Sequence, residues 1–503
     1  MAKEKQEKKK SGPVKRIFKW IGLGLLALLL IAALIFHAPW KVITLLAIIL
    51  TACTILPKPA RKWFWLSAGI VVIALIIWVL LPEDDEGWRP YTFDEELAVL
   101  ENKYAIPDEE NAALAYDEIF QNLVIDANQP EFFLKSKPSS KDEPWLSKDH
   151  QETAEWLKGH QSTIEKLLQT AKIDKCRFLP IRVDAMGIGE YMERLPKIRQ
   201  CAFLLVSAAN NDLAEGRIDD GIEKYLCIIQ MGRHSYQQPV TIHQLVGFAI
   251  ESIGLQQLNR FVIEGRPSEQ QLQLLSSSLI GAENNWDFDL CKMLDFEKLY
   301  AKNMLCSMAY EKNAEGKVRL SRRTFASTIG QSPQQLTTGT YSRRKYAKLG
   351  VIFVWLYVPS APEKIGEMID ASYAKYYAMT DPAFDWTREP QQLLSFLTPG
   401  NFRRIRFNYE YSTKLIAYMS AESYYSIHDI YLKNLAFRRG SQLLIAIKQY
   451  NNENGSWPGS LDAIKSNAPA KAFIDPVSGG QFEYENHGGR FSLYGETRNI
   501  WPK

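Results

Sequence analysis

Three apolar runs inside the first 81 residues constrain this chain more than anything that follows them. Trp20–Phe36, Val42–Leu56 and Trp63–Leu81 contain no charged residue, and they run for 17, 15 and 19 positions. A helix rises ~1.5 Å per residue and a bilayer core is ~30 Å thick, so the third run is long enough to span and the first two stand near the lower limit. Trp20, Trp40, Trp63 and Trp65 lie at the run ends, where indoles favour the headgroup boundary, and Lys41 can snorkel to it. A cleavable signal peptide is the competing reading of the first run. His37, Ala38, Pro39 and Trp40 make a poor cleavage site, and two more apolar runs follow. The expectation is a three-helix transmembrane anchor over 20–81.

Charge placement orients that anchor. Residues 1–81 hold 12 Lys and Arg against Glu4 and Glu7, a net of +10, so the remaining 422 residues carry −7 to give the chain's +3. Eight of the cations precede Trp20, and Lys58, Arg61 and Lys62 fill the second short loop. The excess of basic residues in cytoplasmic loops places both inside, and three spans then put the large C-terminal part outside. An acidic linker at 82–94 leads into a domain expected over 95–432. Cys176, Cys201, Cys227, Cys291 and Cys306 in this part are odd in number and form no Cys-x-x-Cys pair, which argues against a disulfide framework.

The pattern after the linker is mainly helical. Acidic residues Asp108, Glu109 and Glu110 precede a helix over 111–124, with an aspartate expected as its cap. Helices over 190–215 and 217–235 break at Gly216, and a third begins after Pro239. Ile222, Tyr225, Leu226 and Ile229 repeat at helical spacing, and Ser268 with Gln271 forms a capping-box signature. The helical pairs around Ala208, Ala209, Gly216 and Tyr225 are similar to tetratricopeptide-type pairs, without a clean 34-residue period. The fold class expected is mainly α, with transmembrane helices, an irregular helical domain and a small α+β module at 433–503.

Within that module a long helix leads to Asn454, Gly455, Trp457 and Pro458, then to Leu461, Asp475, Pro476 and Gly479. Phe482 and Tyr484, then Phe491 and Leu493, alternate with polar residues around a glycine-rich turn, the signature of a β-hairpin. Together with Tyr494, these residues resemble the C-terminal part of type II secretion major pseudopilins over about 65 residues. The resemblance implies a subunit or tail of a bacterial envelope protein, and with the anchor it implies the bacterial inner membrane. No glutamate lies in Trp20–Phe36, and Gly495–Lys503 offers Glu496 alone. Neither the pilus-forming helix nor the calcium loop of that family therefore carries over.

Standard catalytic motifs are missing, and no cofactor, metal or catalytic residue is assigned. His234, His243 and Glu251 make the one metal-like set, on different helix faces; Asp219 and Asp220 read as first-turn residues. The sharper feature is Lys317, Arg319, Arg322, Arg323, Arg343, Arg344, Lys345 and Lys348, eight cations between 316 and 348 with no acid, followed by the apolar decapeptide Leu349–Val358. These cations are the expected contact for an anionic surface. Nucleic acid is set aside as a partner. A binding or scaffolding role among envelope proteins is the function expected. An envelope hydrolase whose site assembles only in three dimensions and a component of a secretion-like assembly are the alternatives.

Overall fold

A computed structural model describes residues 40–54, 57, 59–60, 62–67, 70, 87–123, 129–135, 138–178, 188–280, 286–320, 361–381, 383–387, 409–497 and 499–501. The chain begins with α1 (Trp40–Thr54), β1 (Arg89–Pro90), α2 (Asp94–Lys103), α3 (Ala112–Asn122) and α4 (Glu131–Leu134). It continues through α5 (Gln151–Gly159), α6 (Gln161–Thr170), α7 (Ile188–Ala214), α8 (Ile218–Tyr236) and α9 (Thr241–Glu264). Next come α10 (Glu269–Ile280), α11 (Trp286–Ala309), β2 (Tyr310–Lys312), β3 (Val318–Leu320) and α12 (Pro362–Tyr373). The chain ends with α13 (Tyr409–Asn454), β4 (Glu483–Asn486), β5 (Phe491–Tyr494) and β6 (Asn499–Trp501). Mainly helical architecture with two three-stranded antiparallel sheets is the result.

The expected three-span anchor is corrected. Among the described residues no helix is long and apolar enough to cross a membrane. Trp20–Phe36 lies outside the described residues, as does most of Trp63–Leu81. The middle run is represented by α1, whose 15 residues rise about 22 Å against a core of ~30 Å. The transmembrane helices of the fold assignment, the integral-membrane partnership through three spans, and the inner-membrane location with an extracytoplasmic domain all rested on spanning helices, and the described residues supply none.

Two compact units divide the chain. One comprises Met1–Phe93, Ala301–Tyr373 and Gln391–Met419; the other comprises Asp94–Tyr300, Ala374–Pro390 and Ser420–Lys503. In the first, the sheet runs β1-β2-β3, with Arg89 opposite Lys312 and Glu311 opposite Arg319. The Arg319 guanidinium reaches the buried Glu311 carboxylate at 3.0 Å and lies over the Trp88 ring at 4.1 Å. Lys302 is buried and bridges to Asp370 at 2.7 Å, while Asn303 Oδ1 accepts from the Phe93 main-chain N–H.

The second unit is built around α7, α8 and α9. Gly216, at φ +80°, ends the α7–α8 turn in the left-handed region that glycine tolerates. Small residues let α8 and α9 approach until backbones meet: a Cβ on Gly247 would stand 2.6 Å from the Gly232 carbonyl oxygen and 2.7 Å from Tyr236 N. Leu204, Leu205, Ile228, Leu255 and Leu258, all fully buried, fill the core. Helix α3 is capped by Asn111, whose side chain accepts from Ala113 N at 3.1 Å, and not by the aspartate expected from 108–110, which forms a 3-10 turn. Ser268 and Gln271 exchange backbone-to-side-chain hydrogen bonds at 2.9 and 3.2 Å, a capping box opening α10.

The tail belongs to this unit. β4 and β5 form a hairpin with Glu483 opposite Tyr494 and Asn486 opposite Phe491, and β6 pairs with β5. Asp475, 1% exposed, accepts from Val477 N at 2.9 Å and Glu496 N at 2.6 Å, fastening the Asp-Pro turn to the chain leaving β5. Gly440 on α13 leaves the room that Ile500 of β6 fills.

Candidate functional site

Four segments of the second unit converge on a cleft of about 420 Å³, within the range of small-molecule sites. The end of α2 brings Lys103 and Tyr104, and the stretch after α6 brings Lys175, Cys176 and Arg177. The end of α8 brings Arg233, Tyr236 and Gln237; α11 brings Phe288, Asp289, Lys292 and Phe296. Residues 288, 292 and 296 are four apart, so one stripe of α11 presents ring, cation and ring.

The 174–178 stretch has few strand partners, and side-chain amides hold it instead. Asn111 Nδ2 donates to the Arg177 carbonyl at 2.9 Å, and its Oδ1 accepts from Arg177 N at 2.8 Å. Gln237 Oε1 accepts from Cys176 N at 2.8 Å while its Nε2 donates to the Asp174 carbonyl at 3.0 Å. Gln238 Oε1 accepts from Phe178 N at 3.0 Å and its Nε2 donates to the Cys176 carbonyl at 2.9 Å. Three amides thus satisfy the backbone groups of the buried residues Cys176, Arg177 and Phe178, which would otherwise cost free energy. They fix Arg177, 5% exposed, in the cleft wall with its Nη1 donating to the Glu101 carbonyl at 2.8 Å.

Cations dominate the lining. Lys103, Lys175, Arg177, Arg233 and Lys292 face one carboxylate, Asp289. Lys103 is neutralised by Asp295 at 2.8 Å and Lys175 by Glu110 at 2.5 Å. Burial pushes Asp295 up, but hydrogen bonds from Lys103, Tyr377 and Tyr104 outweigh it and hold the carboxylate below its ordinary value. Arg233 Nη1 donates to the Gln230 amide oxygen at 2.9 Å, a neutral acceptor. Lys292 Nζ donates to the Gln237 carbonyl and stands 3.6 Å from Asp289 Oδ1. Burial raises the Asp289 carboxyl to about 6 against the pull of Lys292, and burial lowers the Lys292 ammonium against the pull of Asp289. Water is scarce enough here that desolvation outweighs the attraction between the pair.

Such an arrangement can hold an anion of modest size whose apolar part rests on Tyr104, Tyr236, Phe288 and Phe296. The residues singled out in the sequence lie elsewhere. Of the basic segment, Lys317 pairs with Glu315 at 2.8 Å and Arg319 with Glu311. Arg322, Arg323, Arg343, Arg344, Lys345, Lys348 and the decapeptide 349–358 lie outside the described residues. His234 Nδ1 meets Tyr116 Oη at 3.0 Å and Nε2 meets the Ile173 carbonyl at 2.7 Å, whereas Glu251 binds Arg438. Among the described residues no group of three His, Cys, Asp or Glu side chains could hold a metal. Asp219 and Asp220 lie in the first turn of α8, and Asp219 Oδ1 accepts from Gln271 at 2.7 Å. All five described cysteines carry free thiols. The chain matches no family model, no curated protein and no solved structure.

Proposed function

We propose that the α2–α11 region binds a small organic anion with an aromatic or apolar body. The observation that carries this reading is the lining itself: five basic side chains, two of them paired with Asp295 and Glu110 beyond the lining, against one lining carboxylate and four aromatic rings, in a cleft of about 420 Å³. Charge supplies attraction and orientation, and the rings supply burial of the apolar part. This reading keeps the binding role expected from the sequence and replaces its ligand, a protein surface, with a small molecule.

A fluorescence titration with 1-anilinonaphthalene-8-sulfonate, an aromatic sulfonate of suitable size, tests it. One saturable site is expected, weakened about tenfold by Arg233→Gln, since a charged hydrogen bond contributes about 1.5–3 kcal/mol. Binding of equal strength to the native protein and to Arg233→Gln and Lys175→Gln variants would remove the cleft as the site.

The order of elements in the tail supports a second reading, a subunit of a secretion-like assembly. Helix α13 leads through Asn454–Pro458 to the β4-β5-β6 sheet, the sequence of elements that carries the pseudopilin resemblance. Co-purification of this chain with secretion components, lost on deleting 455–503, tests it.

A further inference from the structure

We propose that Lys292 is a carbonyl-trapping amine, forming an imine with an aldehyde or ketone that carries a carboxylate, and that Asp289 shuttles the protons of that reaction. The inference rests on the anion-binding reading of the cleft and specifies the chemistry of its ligand. Lys292 is nearly enclosed, its side chain 11% exposed, with Nζ tethered to the Gln237 carbonyl and Asp289 at 3.6 Å. A lysine serves as a nucleophile only as the neutral amine, and an enclosed site with cationic neighbours favours that form. Burial lowers the ammonium against the pull of Asp289, and Arg177 pushes in the same direction as burial. The other lysines of the lining are exposed and ion-paired, to Asp295 and Glu110. Lys292 therefore stands apart chemically from Lys103 and Lys175.

The step balances without any oxidant or reductant. The Nζ lone pair attacks the carbonyl carbon, a C–N bond forms, and the carbonyl π electrons move to oxygen. Asp289 takes a proton from that nitrogen and hands it to the oxygen, giving a neutral carbinolamine. Reprotonated from solvent, Asp289 then protonates the hydroxyl, which leaves as water while the nitrogen lone pair closes the C=N bond of a protonated imine. A carboxyl raised to about 6 is suited to both halves of that exchange near neutral pH. Arg177 and Arg233 receive the carboxylate of the ligand, and the rings of Phe288 and Phe296, one turn to either side of Lys292, receive its body.

The test treats the full-length protein with 4-carboxybenzaldehyde and sodium cyanoborohydride at neutral pH, then maps the reduced adduct by peptide mass spectrometry. One adduct per chain on Lys292 is expected, formed about 100-fold more slowly in Asp289→Asn if the carboxyl moves the protons. Modification spread over exposed lysines, with no preference for Lys292 in the native protein, overturns the proposal. The sulfonate titration separates the two failures. Cleft binding without a Lys292 adduct leaves the anion site standing and removes the imine; loss of cleft binding removes both.

Discussion

Asp289 and Lys292 sit one helical turn apart on α11, 3.6 Å from carboxylate to ammonium, and burial drives both toward their neutral forms. A surface pair at this spacing would hold its charges, because water keeps solvating each partner. Here desolvation prevails, which makes the one acid of the lining titratable near physiological pH.

Anion affinity is therefore expected to rise as pH falls through about 6. Protonating Asp289 removes the carboxylate from a lining whose other charged side chains are basic. Titrating 1-anilinonaphthalene-8-sulfonate between pH 5 and pH 7.5 reads this directly. The native protein is expected to bind more tightly at the acid end, and Asp289→Asn to bind tightly and evenly across the window. A parallel pH dependence in native and variant proteins would show that Asp289 does not control the cleft.

Acid stability should depend on His234. This side chain is 1% exposed, and burial pushes its imidazolium down to about 4 from the usual 6.5. A folded-state value below the unfolded one means that the stabilisation is whole above 6.5 and is lost as pH falls toward 4. The full loss amounts to about 3 kcal/mol. Asp289 has the opposite sign, because its raised value favours the folded state as pH falls from 6 toward the ordinary carboxylate range. Urea unfolding of Asp289→Asn with and without His234→Gln at pH 7 and pH 4.5 isolates the histidine, because the other shifted groups, His428, Glu251 and Glu297, are common to both proteins. Equal midpoint shifts in the two proteins would mean that His234 is protonated as readily when folded as when unfolded.

Much of the helical frame was legible in the sequence, and the cleft was not. Gly216 and Pro239 punctuate α7, α8 and α9 because one tolerates positive φ and the other cannot donate a backbone hydrogen bond. The alternation of Phe482, Tyr484, Phe491 and Leu493 marks β4 and β5 for the same local reason. Lys103, Arg177, Arg233 and Lys292, by contrast, are ordinary charges on separate segments, brought together only by tertiary packing. The amides of Asn111, Gln237 and Gln238 carry no motif either, since a backbone clamp depends on what lies opposite. One local signal existed: Phe288, Lys292 and Phe296 share a stripe of α11, and a cation between two rings on one helical face is unusual for a solvated surface. The eight-cation segment attracted attention by density alone. Its described members are matched by Glu311 and Glu315, just outside the acid-free window.

Replacing Gly247 with alanine is expected to be more damaging than replacing Gly216. At Gly247 the added Cβ meets two backbone atoms, the Gly232 carbonyl oxygen and Tyr236 N, so α8 and α9 must separate. Overpacking of this kind costs about 1–3 kcal/mol. Nothing lies within 4 Å of a Cβ at Gly216, and its positive φ alone gives about 1 kcal/mol. Because Tyr236 and Gln237 end α8 at the cleft, Gly247→Ala is also expected to weaken sulfonate binding. Urea midpoints and the same titration compare the two variants; equal losses at both positions would refute the close approach of α8 and α9.

The buried ion pair between α9 and α13 should prove costly to break and easy to replace. Arg438 Nε donates to Glu251 Oε1 at 2.7 Å, and Nη2 donates to the same oxygen and to Tyr236 Oη at 3.0 Å. Both side chains are almost wholly buried, at 2% and 0% exposure. Burial opposes the charge on each: it pushes Glu251 up against the pull of Arg438, and it opposes the Arg438 charge that Glu251 restores. Removing one partner strands the other charge in the core, so Arg438→Met alone is expected to cost about 3–5 kcal/mol. Arg438→Met with Glu251→Leu removes both desolvation penalties and is expected to recover most of that loss. A double-mutant cycle of urea unfolding free energies at pH 7 measures the coupling. Additive single-site losses would mean that the pair does not act as a unit, and α13 would then be held to α9 by apolar contacts and by the hydrogen bonds of Asn434 to the Phe248 carbonyl and Ser252 Oγ.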